Sequence, residues 1–183
     1  NVRATTDPGK IAEQCRTIFP CVPSDSLRDS MRSIAPYLRP SHLVIHCTKG
    51  LDIDPKEETL EQLSRSHVRT MSEVIEEETQ VLRIGCLSGP NLAKEIIEGQ
   101  PTATLIASEF TEVIEEGRRL LNSSQFFVFG SHDLIGAEIA GALKNVYALG
   151  SGLLAGKGLG KNIQAMLITR GLHEMIEFGA VMG

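Results

Sequence analysis

The chain has 183 residues, 42% of them hydrophobic and 22% charged, with a formal net charge of −5, which suits a packed core in one domain or a domain plus part of another. Its lysines and arginines are scattered and its aromatics reach only 4%, so it offers neither a basic stripe nor a stacking platform to a nucleic acid. No run is long and apolar enough to span a membrane, and the four cysteines lack metal-ligand spacing, so they read as reduced core residues of a cytosolic protein.

The first predicted strand is Thr17–Val22, weakened by Pro20. Ser24 or Asp25 then caps a helix through Leu27, Met31 and Ile34. Leu43–Cys47 is an uninterrupted β-rich run of the kind buried in parallel sheets. Asp54–Glu58 is a polar loop or helix start, and Met71–Glu78 an acidic helix whose Glu76, Glu77 and Glu78 read as a solvated face. Val81–Leu87 and Thr102–Ala107 are further strands, with a short helix opening at Pro90 between them. Glu109–Leu121 is helical, and Phe126–Phe129 is the last strand.

This alternation predicts an α/β fold with a largely parallel sheet. From Asp133 onward only helix signals remain. Ile135, Ile139, Ala142, Leu143, Val146 and Leu149 line one side of the first helix. Ile163–Val181 is apolar nearly all round and predicts a buried helix, joined to the first by a glycine-rich connector, 150–160. The domain boundary is placed near Gly130, dividing the chain into 1–130 and 131–183. Both chain ends break off within other patterns, which predicts a piece of a longer protein.

Three places could carry chemistry. Thr48-Lys49-Gly50 follows a buried strand, where open α/β sheets bind ligands, although the same residues make an ordinary surface turn. Ser88-Gly89-Pro90-Asn91-Leu92-Ala93 leads from strand to helix, where free N–H groups attract anions, or where Ser88 or Asn91 simply caps. The third is Asp133–Asn145, where Lys144 interrupts a helix that otherwise favours burial. It reads as an acid/base of lowered pKa or as the partner of Glu138 or Asp133 in an ion pair. The five histidines show no ligand spacing, so no metal is expected; Arg170–Glu174 and His173–Glu177 are spaced as helix surface pairs. Gly156–Gly160 follows a helix rather than a strand, so the dinucleotide fingerprint does not apply to it.

In order, seven stretches resemble NAD(P)-dependent glycerol-3-phosphate dehydrogenase: Val22–Ser24, Thr48–Leu51, Met71–Ile75, Leu87–Glu95, Gln100–Ala103, Asp133–Asn145 and Gly160–Gly171. The resemblance implies the C-terminal part of a Rossmann-like dinucleotide-binding domain, lacking its glycine-rich first unit, followed by the start of an all-α substrate domain. It implies a cytoplasmic oxidoreductase that interconverts dihydroxyacetone phosphate and sn-glycerol 3-phosphate with NAD or NADP and feeds phospholipid synthesis. It leaves a homodimer of the complete protein open. Lys144 is then the catalytic acid/base. Lys49, Gly89, Asn91, Lys144 and Asn145 meet the substrate, and Lys49 and Ala93 the cofactor. Asn91 departs from the usual Ser or Thr. Asp54–Arg69 is extra material, expected as a surface elaboration. The alternatives are a related two-domain 3-hydroxyacid-type dehydrogenase and a fragment inactive on its own.

Overall fold

The apolar runs become strands. In the computed structural model, which describes residues 2–53 and 64–183, five strands form one sheet. They are β1 (Thr17–Ile18), β2 (Leu43–His46), β5 (Arg83–Ser88), β6 (Thr102–Ala107) and β7 (Phe126–Ser131), in the order β1-β2-β5-β6-β7. Only the β5–β6 pairing is antiparallel. A second, two-stranded antiparallel sheet joins β3 (Asp52–Ile53) to β4 (Val68–Arg69). The helices are α1 (Pro8–Gln14), α2 (Ser24–Ile34), α3 (Met71–Glu78), α4 (Ala93–Ile97), α5 (Thr111–Leu121), α6 (Leu134–Gly156) and α7 (Lys161–Met182).

All of β2 is buried because side chains on both of its faces are covered. Val44 points with Ile84 toward Leu27 and Met31 of α2 and Val74 and Ile75 of α3. Leu43 and Ile45 point the other way, with Ile106, Val128 and Val113 and Ile114 of α5. At about 1.5–3 kcal/mol for each fully buried large aliphatic side chain, these two layers are the chief stabilising term.

Several expectations need correcting. β1 is two residues long, because Pro20 has no N–H to extend the ladder. α2 starts at Ser24 itself, with Pro23 in the cap position and no side-chain cap. The helix expected at Pro90 begins only at Ala93, since Asn91 is drawn into a turn by its N–H bond to Gly89 O (3.0 Å). α1 went unpredicted, although Asp7 accepts from the N–H groups of Gly9 and Lys10 and Pro8 opens the helix.

The acidic end of α3 is not simply a solvated face. Arg28 bonds Glu77 and Glu78 at 2.9 and 2.7 Å and Asp52 at 2.7 Å, and Arg32 also reaches Glu78. Hydrogen bonds from Arg69 first and then Arg28 hold the Glu77 carboxyl below the usual range, and those from Arg32 and Arg28 do the same for Glu78.

The glycine-rich connector is also mostly helix. α6 runs through it to Gly156, leaving only 157–160 as the turn. Isolated glycines cost a helix about 1 kcal/mol each, which neighbouring Leu153, Leu154 and Ala155 tolerate. α7 is not a buried helix. It packs on α6 along one side, while Met166, Ile168, Leu172, Ile176 and Val181 are exposed.

Cys86 is buried and Cys47 half-buried, but Cys15 and Cys21 are exposed rather than core residues. Of the expected surface elaboration, residues 54–63, including the polar loop predicted there, lie outside the described residues. The remainder is partly internal. Val68 is buried with Ile139 and Met182, and Arg65 Nε donates to Met182 O at 2.6 Å.

Candidate functional site

β2 and β5 are parallel, so their carboxyl ends meet at one edge of the sheet. The loop 48–50 leaves β2 there. Thr48 fixes it by donating from Oγ1 to Val22 O at 2.8 Å, and Lys49 Nζ donates to Cys47 O at 3.4 Å. Gly50 has φ +152°, and a Cβ there would stand 2.8 Å from Ser24 Cβ, so the loop can pass this close to α2 only as glycine. Ser88 and Gly89 form the second wall, at the end of β5.

The third wall is α6. Asp133 caps it, accepting from Gly136 N–H at 2.8 Å. Leu134 and Ala137 pack on Cys86 and Ala107, and Ser88 Oγ donates to Ala137 O at 3.1 Å. One turn on, a Cβ at Gly141 would lie 3.1 Å from Ser88 Oγ and 3.8 Å from Lys49 Cγ, so glycine lets the helix settle onto both strand ends. Lys144 follows and donates from Nζ to Gly89 O at 3.1 Å. Replacing Asp133 with alanine should cost about 0.5–2 kcal/mol by leaving the first turn uncapped. Thermal melts of the complete protein should show the loss, and an unchanged Tm would refute it.

The ion pair expected for Lys144 does not form. Asp133 is occupied with its own helix, and Glu138 faces elsewhere. None of the ion pairs among the described residues includes Lys144 or Lys49. Lys144 has instead been taken partly out of water beside a like charge. Burial first, and then Lys49, pull its pKa below the usual lysine value.

Lys49, Gly89 and Lys144 therefore share one cleft. The other predicted site residues lie around it rather than in it. Asn145 and Ala93 are exposed. Asn91 is held by β6: its Nδ2 donates to Ala103 O at 3.4 Å and its Oδ1 accepts from Thr104 Oγ1 at 3.0 Å.

Sequence reasoning missed a buried group beneath this cleft. Glu138 accepts from Ser72 N–H (2.8 Å, to Oε1) and Ser72 Oγ (2.5 Å, to Oε2). His46 Nε2 lies 3.0 Å from Oε1, at ion-pair distance but off the line of a hydrogen bond. The signal was present: a histidine ending a wholly buried strand, and the only acid within α6. His46, Thr48, Lys49, Ser88, Glu138 and Gly141 line a cavity of about 10 Å³ between this group and the cleft.

The comparisons agree with this architecture. Residues 1–114 match the profile described as NAD-dependent glycerol-3-phosphate dehydrogenase N-terminus, and residues 133–183 match that of its C-terminus. The chain is 40% identical over 182 residues to a "Glycerol-3-phosphate dehydrogenase [NAD(P)+]" of Ectopseudomonas mendocina, covering all of this chain and 50% of the relative. A relative of the same name from Saccharophagus degradans is 39% identical, over all of this chain and 48% of its own length. Among solved structures, glycerol-3-phosphate dehydrogenase from Coxiella burnetii superposes with a TM-score of 0.84 at 29% identity, covering 99% of this chain and 52% of that one. The Saccharomyces cerevisiae enzyme gives 0.80 at 27%, covering 96% and 49%. The chain thus spans about half the length of the relatives it matches.

Proposed function

The chain belongs to the NAD-dependent glycerol-3-phosphate dehydrogenase family, and from that premise we propose that the complete protein interconverts dihydroxyacetone phosphate and sn-glycerol 3-phosphate with NAD or NADP. The observation that carries this reading is Lys144, a cation without an acidic partner among the described residues, half-buried beside Lys49 and bonded to the Gly89 carbonyl.

The residues present fit one wall of a dinucleotide site. Lys49 stands at the carboxyl end of a parallel strand with no carboxylate paired to it among the described residues, and the small, exposed Ala93 lies just beyond Gly89. A nicotinamide held on this wall would supply the hydride for the carbonyl carbon. Lys144 faces the negative charge that then grows on the carbonyl oxygen, stabilises it and donates the proton. To do so Nζ exchanges the Gly89 carbonyl for the substrate oxygen. Lys49 adds a second positive charge, which suits an anionic substrate. Asn145 and Asn91 border the substrate, Asn91 with its amide already committed to β6, and Ala93 borders the cofactor.

The proposal places the domain division at residue 130. Support comes from β7 ending at Ser131, from the exclusively helical elements after it, and from a C-terminal match that starts at 133. The complete protein is read as a cytoplasmic enzyme serving phospholipid synthesis, with a homodimer left open. No described helix is long and apolar enough to cross a membrane.

The test is a substrate panel with NADH and NADPH on the complete protein. Dihydroxyacetone phosphate should exceed 3-oxo acids in kcat/KM by at least about 100-fold, the discrimination expected when a site pairs polar and charged groups with its substrate. Preference for a 3-oxo acid would overturn the reading.

A further inference from the structure

Two of the buried ionisable groups lie directly beneath the cleft without a part in this chemistry: His46, 1% exposed at the end of β2, and Glu138, 5% exposed in the second turn of α6. Three elements converge on the Glu138 carboxylate. From α3 come both Ser72 donors, at 2.8 and 2.5 Å. From β2 comes His46, with Nε2 3.0 Å away. The third is α6 itself. The other imidazole nitrogen, Nδ1, is 3.2 Å from Thr48 O; since carbonyl and carboxylate both only accept, the ring serves the two together with a hydrogen on each nitrogen. Thr48 adjoins Lys49, so the same group reaches both the helix bearing one lysine and the loop bearing the other.

Apart from Ser88 Oγ, which donates to Ala137 O, and the Lys144 bond to Gly89 O, the rest of the seat of α6 is apolar. Leu134 and Ala137 bury against Cys86 and Ala107, Ile139 buries with Val68 and Met182, and Gly141 adds no side chain. Apolar contact of this kind is non-directional. Successive residues on a helix are about 100° apart, so a rotation of a few tens of degrees would carry the long Lys144 side chain away from Gly89 and Lys49. Bonds to a buried carboxylate resist such a rotation, because each has a fixed length and direction.

We infer that Glu138 is a positioning residue for Lys144: held by Ser72 and His46, it fixes the rotation and height of α6 on the sheet, and through Thr48 it keeps the Lys49 loop in the same frame. The inference rests on the reading of Lys144 as the acid. Glu138 and His46 touch no reacting atom and act through α6 and the 48–50 loop.

The test compares Glu138→Gln and Ser72→Ala in the complete protein, with Lys144→Met beside them. Glutamine keeps the size of Glu138 but turns a donor toward one of the Ser72 donors. Misplacement by about 1 Å can cost about 100-fold in rate. The expected result for Glu138→Gln is a 10- to 100-fold fall in kcat, with KM for dihydroxyacetone phosphate and Kd for NADH within about threefold. The alkaline limb of kcat should also move up in pH, because a loosened Lys144 sits in more water and farther from Lys49. Ser72→Ala should lose less in the same direction, and the double variant should be no worse than Glu138→Gln alone.

A kcat within twofold of wild type, or a loss that follows Tm while the alkaline limb stays in place, overturns the inference. If Glu138→Gln does not fold, Ser72→Ala decides: a loss with a moved limb supports the inference, and an unchanged kcat overturns it. Should Lys144→Met turn over normally, the reading of Lys144 falls as well. Should that variant be dead while Glu138→Gln is normal, only the positioning role falls.

Discussion

Lys144→Met in the complete protein is expected to lower kcat by about 10²- to 10⁴-fold, the usual worth of a positioned proton donor, without lowering Tm. The second half of this expectation separates a catalyst from a structural ion-pair partner. A lysine held by Glu138 or Asp133 would leave a buried carboxylate unpaired when removed, at a cost of several kcal/mol. Here Asp133 caps α6 and Glu138 is held by Ser72 and His46, so removing the Lys144 ammonium orphans no acid. It also relieves both the burial of a charge and its repulsion from Lys49, the two causes that depress the Lys144 pKa. Methionine matches much of the aliphatic stem, so Tm should hold or rise, as at sites where function is bought with stability. Kd for NADH should stay within about threefold. In the wild-type enzyme kcat for reduction should fall as pH rises through the lowered Lys144 pKa, because only the ammonium form donates. Near-normal turnover of the methionine variant, or a melt several degrees lower, would remove Lys144 from this role.

Strands were legible because burial on both faces leaves a plain mark: Leu43–His46 has no polar residue before its last position. α2 was legible through Leu27, Met31 and Ile34, whose helical spacing matches the buried face. What failed was set by partners distant in sequence. Glu77 and Glu78 look solvated until α2 brings Arg28 and Arg32 to them, 46 to 50 residues away. α7 has the composition of a buried helix, yet its exposure depends on what packs there, which its own residues do not state. The same holds at the site. Lys144 and Lys49 could be singled out from local pattern and from the ordered motifs. The choice of Glu138 between Lys144 and His46 could not, because both were acceptable partners and only the rotation of α6 on the sheet decides between them. Nothing local to Asn91 tells that Thr104 and Ala103 have claimed its amide.

That rotation makes Glu138→Ala the second large effect: a loss of about 1–3 kcal/mol at pH 7, the cost of leaving a buried donor without its acceptor. Alanine leaves Ser72 N–H without its acceptor and Ser72 Oγ with only Thr70 Oγ1, 3.0 Å away, in a place where water enters poorly. In urea denaturation of the complete protein the midpoint should drop while the slope stays constant. The effect has a pH signature. Burial by itself would raise the Glu138 carboxyl, but His46 and the two Ser72 donors more than offset it, and the folded pKa lies below the ordinary value. The ionised carboxylate is felt by its neighbours. Burial first and then Glu138 push the Cys86 thiol up, and Glu138 adds to the burial, Glu109 and Glu73 contributions that raise Glu76. A depressed carboxyl contributes stability that is fully present above its unfolded pKa, about 4, and is lost as pH falls through the lower folded value. The gap between wild type and Glu138→Ala should therefore shrink below about pH 4. A gap under about 1 kcal/mol would mean that Ser72 and His46 find other partners, and a gap that does not narrow in acid would mean that the carboxyl is buried as the neutral acid. In either case α6 would be seated by its apolar contacts and the Ser88 bond to Ala137 O, and the aim of Lys144 would need another explanation.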